Sequence, residues 1–229
     1  MEKPQLNRYQ ITIKEKSKMI SENNIKFIID SCDQNEIIDI IRGLKSNLIM
    51  NNIIMTRVIY QLPRSNEDVG NNQDCEWIRI RTGDVDCSGN CRCTITYKSK
   101  KKNGANPQNA KLEVDDYYEA MHMLDLFGFK KTSTQQTRGT KYVCHYEDVK
   151  YTICFDIWPE LEELTFVSID AAPNAELLDV ESFLDLLNIN DYKLNRPFVD
   201  VDTEYYNKYG KPASLIKNLL FGFSASHIE

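Results

Sequence analysis

The sequence lacks a long run of apolar residues and lacks an apolar leader. No stretch approaches the roughly 20 apolar residues that a membrane-spanning helix needs, and the first ten residues are polar. A secretory leader would carry an apolar segment close to the N-terminus. The sequence therefore predicts a soluble, cytoplasmic protein that does not bind membranes.

Cysteine frameworks and covalent nucleophile motifs are also missing. The chain has seven cysteines, an odd number, and no pair of CxxC motifs that would indicate a zinc ribbon. Cys87, Cys91 and Cys93 form the tightest group, which we interpret as a reduced loop-and-strand segment. The sequence shows neither a serine or cysteine nucleophile with a placed base nor a Gly-rich phosphate loop.

Positive charge is in deficit overall. The formal net charge of −6 argues against general nucleic-acid binding. The cations are unevenly distributed, however, so local charge matters more than the total. With 229 residues, 41 % of them hydrophobic, the chain is long enough to form one domain with a substantial core.

What the sequence does contain is alternation of apolar and polar residues, which predicts about eight strands. The clearest part is 154–171, where two alternating strands flank a turn at Pro159. The second of these strands puts Ser168 and Asp170 on one face. The other strand segments are 24–30, 53–63, 76–82, 92–98, 111–114 and 129–158, the last with a turn near Glu147 and Asp148.

Three segments with helical spacing interrupt the strands. They are 33–46, 115–129 and 175–189. The helix predicted in the second segment ends at Gly128. The aromatic stretch 198–223 favours one or two helices packed over the mouth of a barrel. The pattern predicts an α+β fold in which strands dominate. It leaves a β-sandwich and a closed barrel open.

Charged residues recur at alternate positions of the predicted strands. In a sandwich they would face solvent, whereas in a barrel they would converge on the lumen. Close like-charged pairs cost about 4 kcal/mol at an effective dielectric constant near 20, so a bound polyanion would be needed to stabilise them. The predicted inward set is Glu22, Lys26, Arg79, Arg81, Lys98, Glu113, Arg138, Asp156 and Asp170.

This mixture of side chains indicates a specific ligand chemistry. Arginine forks and lysine ammonium groups bind phosphoryl oxygens. Carboxylates among them are the ligands that Mg²⁺ or Mn²⁺ prefers, and these ions accompany polyphosphates. The sequence therefore predicts binding of a metal-bound tripolyphosphate.

The order of these motifs resembles the CYTH superfamily of triphosphate tunnel proteins, named for class IV adenylyl cyclase and thiamine triphosphatase. The resemblance covers roughly residues 22–190 and is strongest over 76–171, with WP after an Asp-bearing strand and GF after the second helix, as in the cyclase type. It implies an eight-stranded antiparallel closed β-barrel with flanking helices. The implied organisation is an N-terminal arm or extra strand (1–21), a tunnel domain (22–195) and a C-terminal helical extension (196–229).

The resemblance also implies roles for individual residues. The implied catalytic residues are Lys26, Lys98 and Glu113. The implied phosphate-binding residues are Lys26, Arg79, Arg81, Lys98 and Arg138. The implied ligands of Mg²⁺ or Mn²⁺ are Glu22, Glu113, Asp156 and Asp170.

Three positions, Asn24, Ser168 and Asp170, depart from the family pattern. The family signature Glu-x-Glu-x-Lys reads Glu22-Asn23-Asn24-Ile25-Lys26 here, and a later Glu-x-Glu reads Ser168-Ile169-Asp170. Three functions therefore remain open. The first is an adenylyl cyclase or triphosphatase acting on a nucleoside triphosphate or other polyphosphate, and the second is a protein that binds or senses such an anion without turnover. The third is a structural or partner-docking β domain. A homodimer is left open as well.

Overall fold

The structure of the protein is a computed structural model that describes residues 24–62, 75–100, 109–173, 175–188 and 200–222. Glu22 and the predicted N-terminal arm lie outside these residues. The described helices are α1 (Gln34–Gly43), α2 (Tyr117–Leu126), α3 (Leu177–Leu186) and α4 (Val201–Tyr209). The described strands are β1 (Asn24–Asp30), β2 (Lys45–Gln61), β3 (Cys75–Val85), β4 (Cys91–Lys100), β5 (Asn109–Val114), β6 (Lys130–Tyr146), β7 (Val149–Ile157), β8 (Leu164–Ala171) and β9 (Asn218–Leu219).

The described chain packs as two compact units. The first contains residues 24–48, 140–156, 163–173 and 175–188. The second contains residues 49–62, 75–100, 109–139, 157–162 and 200–222. Strands β2 and β6 contribute residues to both units.

The first unit has a sheet with one apolar face. Strand β8 pairs antiparallel with both β1 and β7. Ile25 and Ile169 lie on the apolar face and pack with residues of α1 and α3 such as Ile37 and Phe183. Because side chains alternate along a strand, Ser168 lies on the opposite, polar face. The alternation predicted for this strand is thereby confirmed.

The second unit repeats this two-faced design. Strand β3 pairs antiparallel with β2 and β4, and β4 pairs antiparallel with β5. Val58, Tyr60 and Ile80 lie on one face and pack against Ala120 and Leu124 of α2. The residues between them therefore lie on the other face, which carries the candidate site.

The strand order is β1-β8-β7-β6 in the first unit and β6-β2-β3-β4-β5 in the second. The predicted α+β class with a large antiparallel sheet is confirmed. Within the described ranges no ladder joins β1 to β5, so hydrogen bonds do not close the sheet. A closed barrel stays a prediction.

Local boundaries mostly follow the sequence signals. Glu147 and Asp148 have φ values of 47° and 64° and form the predicted two-residue turn between β6 and β7. Gly128 has a φ of 77° and follows α2, as predicted. Strand β2 is longer than predicted, because it begins at Lys45 directly after α1.

The C-terminal part of the described chain packs on β6 in the second unit. Ser133 Oγ donates a hydrogen bond to the Ile216 carbonyl at 2.5 Å, and Gln135 Nε2 donates one to the Ala213 carbonyl at 2.9 Å. Strand β9 pairs in parallel with β6 beside Thr134. The predicted helix is present as α4, but the short strand was not predicted. In the described ranges no helix is both long and apolar enough to cross a membrane.

Candidate functional site

The polar face of the second unit, which we call the basic face, includes several deeply buried polar side chains. Arg57 lies opposite Arg81, which in turn lies opposite Thr94, and Arg79 lies opposite Thr96. Thr94 and Thr96 are 1 % and 3 % exposed, and Arg57 is 8 % exposed. On a solvated sheet surface these polar side chains would be open to water. The basic face consists of Arg57, Arg79, Arg81, Thr94, Thr96, Lys98, Lys111 and Glu113.

Four residues predicted from the sequence come together on the basic face. Arg79 and Arg81 lie two residues apart on β3, and Lys98 lies on the neighbouring strand β4. Glu113 lies on β5 opposite Thr94, at the exposed rim of the face. The Nε atom of Arg81 is buried and has no hydrogen-bond partner among the described residues.

A buried carboxylate, Asp84, holds the arginines at one end of the basic face. Asp84 Oδ2 accepts from Arg81 Nη2 at 2.7 Å and from Arg92 Nη2 at 3.0 Å. Its other oxygen accepts from the Val85 N–H at 2.9 Å. The register of β3 shifts between Arg81 and Asp84, at Gly83, which brings both side chains to the same face. Asp84 therefore fixes the position of Arg81.

Positive charge is crowded on this face. Partial burial and the nearby charges of Arg92 and Arg81 lower the pKa of Lys111. Its register partner is Thr96, which places Lys111 among these cations rather than on the apolar side. An anion bound here would relieve the repulsion between them.

Arg138 is engaged differently from the residues of the basic face. Its guanidinium carbon lies 4.7 Å from the centre of the Phe221 ring. The preceding residue, Thr137, hydrogen-bonds Arg57, so strand alternation directs Arg138 to the opposite side of β6. The structure therefore does not bring Arg138 onto the basic face, and its phosphate-binding role stays a prediction.

The remaining predicted residues lie in the first unit. Lys26 is exposed on β1 opposite Ser168, and Asn24 lies opposite Asp170. The Asn24 amide donates a hydrogen bond to the Asp170 carboxylate. Asp156 lies near the end of β7 opposite Phe166. Asn24 is thus bound to one of the carboxylates that were predicted to bind metal.

Three of the predicted ligands of Mg²⁺ or Mn²⁺, Glu113, Asp156 and Asp170, lie in the described residues. Within the described part of the chain, no three His, Cys, Asp or Glu side chains are grouped so that they could hold a metal ion. Glu113 is 64 % exposed and lies 3.4 Å from Arg92. Asp170 accepts the hydrogen bond from Asn24. The metal site stays a prediction.

Arg57 is the main residue of this face that the sequence did not reveal. Its guanidinium carbon lies 4.4 Å from the centre of the Trp158 ring, and its Nη2 donates to Thr137 Oγ1 at 2.8 Å. Arg57 occurs inside the apolar run IIMTRVIY, which predicts a strand but not which residue faces a ligand. The available signal was that Arg57 and the apolar Val58 are adjacent in a strand and therefore lie on opposite faces. Trp158 is 6 % exposed.

Comparison with known proteins gives structural matches only. No protein-family model and no curated protein matches the chain. An X-ray structure of a "putative adenylate cyclase" from Vibrio parahaemolyticus matches with a TM-score of 0.50 and 8 % identity, over 77 % of this chain and 90 % of that one. The chain shares the fold of the Vibrio protein. At this identity the similarity shows the fold alone.

Two further structures match with lower TM-scores. A "putative adenylyl cyclase" from Hippeastrum, described as having a dominant triphosphatase activity, has a TM-score of 0.45 and 12 % identity over 82 % of this chain and 95 % of that one. A "putative adenylate cyclase" from Bacillus halodurans has a TM-score of 0.44 and 12 % identity over 81 % of this chain and 97 % of that one.

Proposed function

We propose that this protein binds a nucleoside triphosphate or another polyphosphate on the basic face. The observation that carries the proposal is the convergence of Arg79, Arg81 and Lys98 on a face whose threonines, Thr94 and Thr96, are almost fully buried. Cations at alternate positions of a solvated strand would contact water and need no ligand.

The chemistry of these groups suits phosphate. Arginine presents paired N–H donors that match two phosphoryl oxygens, and lysine adds a compact positive charge. Threonine hydroxyls donate single hydrogen bonds at the same surface. Asp84 is satisfied by Arg81, Arg92 and a backbone N–H, so it neutralises only part of the positive charge.

The reaction we propose on this anion is phosphoryl or nucleotidyl transfer. Attack of a ribose 3′-hydroxyl on the α-phosphorus would give cyclic AMP and pyrophosphate, whereas attack of water on the terminal phosphorus would release phosphate. In either case Arg79, Arg81 and Lys98 would stabilise the charge that develops on the phosphoryl oxygens. The resemblance to the CYTH superfamily and the name of the Vibrio protein support this class of reaction, with Lys26 and Glu113 in their implied catalytic roles.

Mg²⁺ or Mn²⁺ enters the proposal as part of the substrate. Mg²⁺ is commonly held by one or two carboxylates together with substrate phosphates. A metal–triphosphate complex would thus arrive with most of its oxygen ligands.

The test combines binding and turnover. Calorimetric titration with ATP and inorganic triphosphate, each with and without Mg²⁺ or Mn²⁺, should give saturable binding. Arg79→Gln should weaken it about tenfold or more, since a hydrogen bond to a charged group contributes about 1.5–3 kcal/mol. The matched control is Arg42→Gln, because Arg42 is 61 % exposed on α1. Equal affinities of the two variants would contradict the proposal.

A second function, binding without turnover, is favoured by three observations. Glu113 lies against Arg92, Asp170 is bonded to Asn24, and the described carboxylates form no metal cluster. Chromatography of products after incubation with ATP, inorganic triphosphate and thiamine triphosphate separates the two. Cyclic AMP or phosphate release that Lys98→Ala abolishes supports the enzyme. Tight binding with every substrate intact supports a sensor.

A further inference from the structure

We propose that Arg57 is an additional anion-binding residue of the basic face, and that the turn carrying Trp158, fixed by helix α4, holds it in place. The inference deepens the proposed function and rests on it. Arg57 was not among the residues predicted from the sequence, and Trp158 and α4 belong to segments that otherwise only pack.

The register of β2 and β3 places Arg57 beside Arg81 on the basic face. Arg57 and Arg81 are directly opposed on these antiparallel strands. Directly opposed side chains on one face of a sheet have Cβ atoms about 4.5–5.5 Å apart, and like charges at this spacing are destabilising. A bound anion would contact both guanidinium groups and change this repulsion into attraction.

The contacts of Arg57 with Trp158 and Thr137 orient its guanidinium. The guanidinium carbon lies over the Trp158 ring, while Nη2 donates to the hydroxyl of Thr137. A guanidinium carries five N–H donors in its own plane, a geometry that suits phosphate oxygens. Arginine also stays protonated when it is buried. Arg57 is therefore a preoriented cation.

Helix α4 fixes the turn that carries Trp158. The Tyr205 hydroxyl donates to the Pro159 carbonyl, and the Tyr205 ring meets Trp158 edge-on at 6.1 Å. Tyr209 donates to the Glu160 carboxylate at 3.1 Å, while Glu160 has a φ of 62°, a left-handed conformation that needs support. Burial raises the pKa of Tyr205, which keeps its hydroxyl protonated as a donor. A chain of contacts thus runs from α4 through Trp158 to Arg57.

The experiment measures the affinity of the full chain for inorganic triphosphate by calorimetry, with the thermal midpoint of each variant as a folding check. Arg57→Gln should weaken binding about tenfold or more, and Arg57→Lys, which keeps the charge, should recover part of the loss. Trp158→Leu should weaken binding at least about threefold through lost orientation, and Trp158→Phe, which keeps an aromatic face, should restore most of it.

The outcomes separate this inference from the proposed function. If Arg79→Gln weakens binding but folded Arg57→Gln and Arg57→Lys bind like wild type, Arg57 is only structural and the inference is overturned. If Arg57→Gln does not fold, the inference is tested with Arg57→Lys and the two Trp158 variants. Triphosphate affinities of these variants equal to that of the wild type overturn the inference. A wild-type protein that binds no triphosphate overturns the proposed function itself. Arg42→Gln should leave the affinity unchanged throughout.

Discussion

Arg81 donates to Asp84 at 2.7 Å across a shift in the register of a single strand, and the Asp84 side chain is only 3 % exposed. Sequence neighbours three apart in a regular strand lie on opposite faces, so this contact requires the irregularity at Gly83. The same carboxylate also binds Arg92. One acid thus organises two arginines at the edge of the candidate site.

Replacing that acid should destabilise the fold. Asp84→Asn removes the charge between two arginines, and breaking a fully buried pair costs about 3–5 kcal/mol. Arg81 and Arg92 keep 20 % and 25 % exposure, so we expect a smaller loss of about 2–3 kcal/mol. Urea denaturation measures this loss. Asp86→Asn, in the exposed turn beyond β3, is the control and should cost clearly less than Asp84→Asn.

The irregularity itself depends on glycine. Gly83 has a φ of 82°, and a Cβ at this position would lie 2.7 Å from the Ile54 carbonyl oxygen. Gly83→Ala should therefore lower the free energy of unfolding by about 3 kcal/mol, through a strained backbone and a steric clash. Gly89 has a φ of 85°, but a Cβ added there would meet no atom within 4 Å, so Gly89→Ala isolates the backbone contribution, about 1 kcal/mol. Equal losses in urea denaturation would rule out the clash.

Lys111 should show opposite effects on stability and on binding. Its pKa is lowered from the ordinary value of 10.5, so between the folded-state pKa and 10.5 the folded chain binds fewer protons than the unfolded chain. This residue's contribution to stability therefore rises as the pH rises through that window. At neutral pH, Lys111→Met should raise the thermal midpoint slightly, by about 1 °C, and weaken triphosphate binding about threefold.

The control for Lys111→Met is Lys150→Met, because Lys150 is exposed on β7 in the first unit. It should change neither quantity. A Lys111→Met variant that binds triphosphate as tightly as wild type would remove Lys111 from the basic face as a functional residue.

Arg138 should contribute less to triphosphate binding than the family resemblance implies. Because Arg138 lies against Phe221, Arg138→Gln should lower stability by about 1 kcal/mol through the lost cation–π contact. It should change the affinity for triphosphate less than twofold, whereas Arg79→Gln should change it about tenfold or more. Calorimetry on both variants makes the comparison. A loss as large as that of Arg79→Gln would restore Arg138 to the phosphate site.

The sequence revealed the elements better than it revealed the site. Alternation identified the strand that carries Arg79 and Arg81, and the same period placed both on one face. It could not assign Arg57, because only the pairing of β2 with β3 shows that this residue opposes Arg81. It could not find the role of Asp84, since the contact depends on a local shift of register.

The parallel pairing of β9 with β6 has a practical consequence. Residues Thr134 and Gln135 of β6 are covered by Asn218 and Leu219. A shortened chain that stops before α4 would leave this stretch of backbone N–H and C=O groups bare, and a bare strand edge recruits strands from other molecules. Such truncations should aggregate during expression, so the tail serves as a protective cover as well as a support for the site.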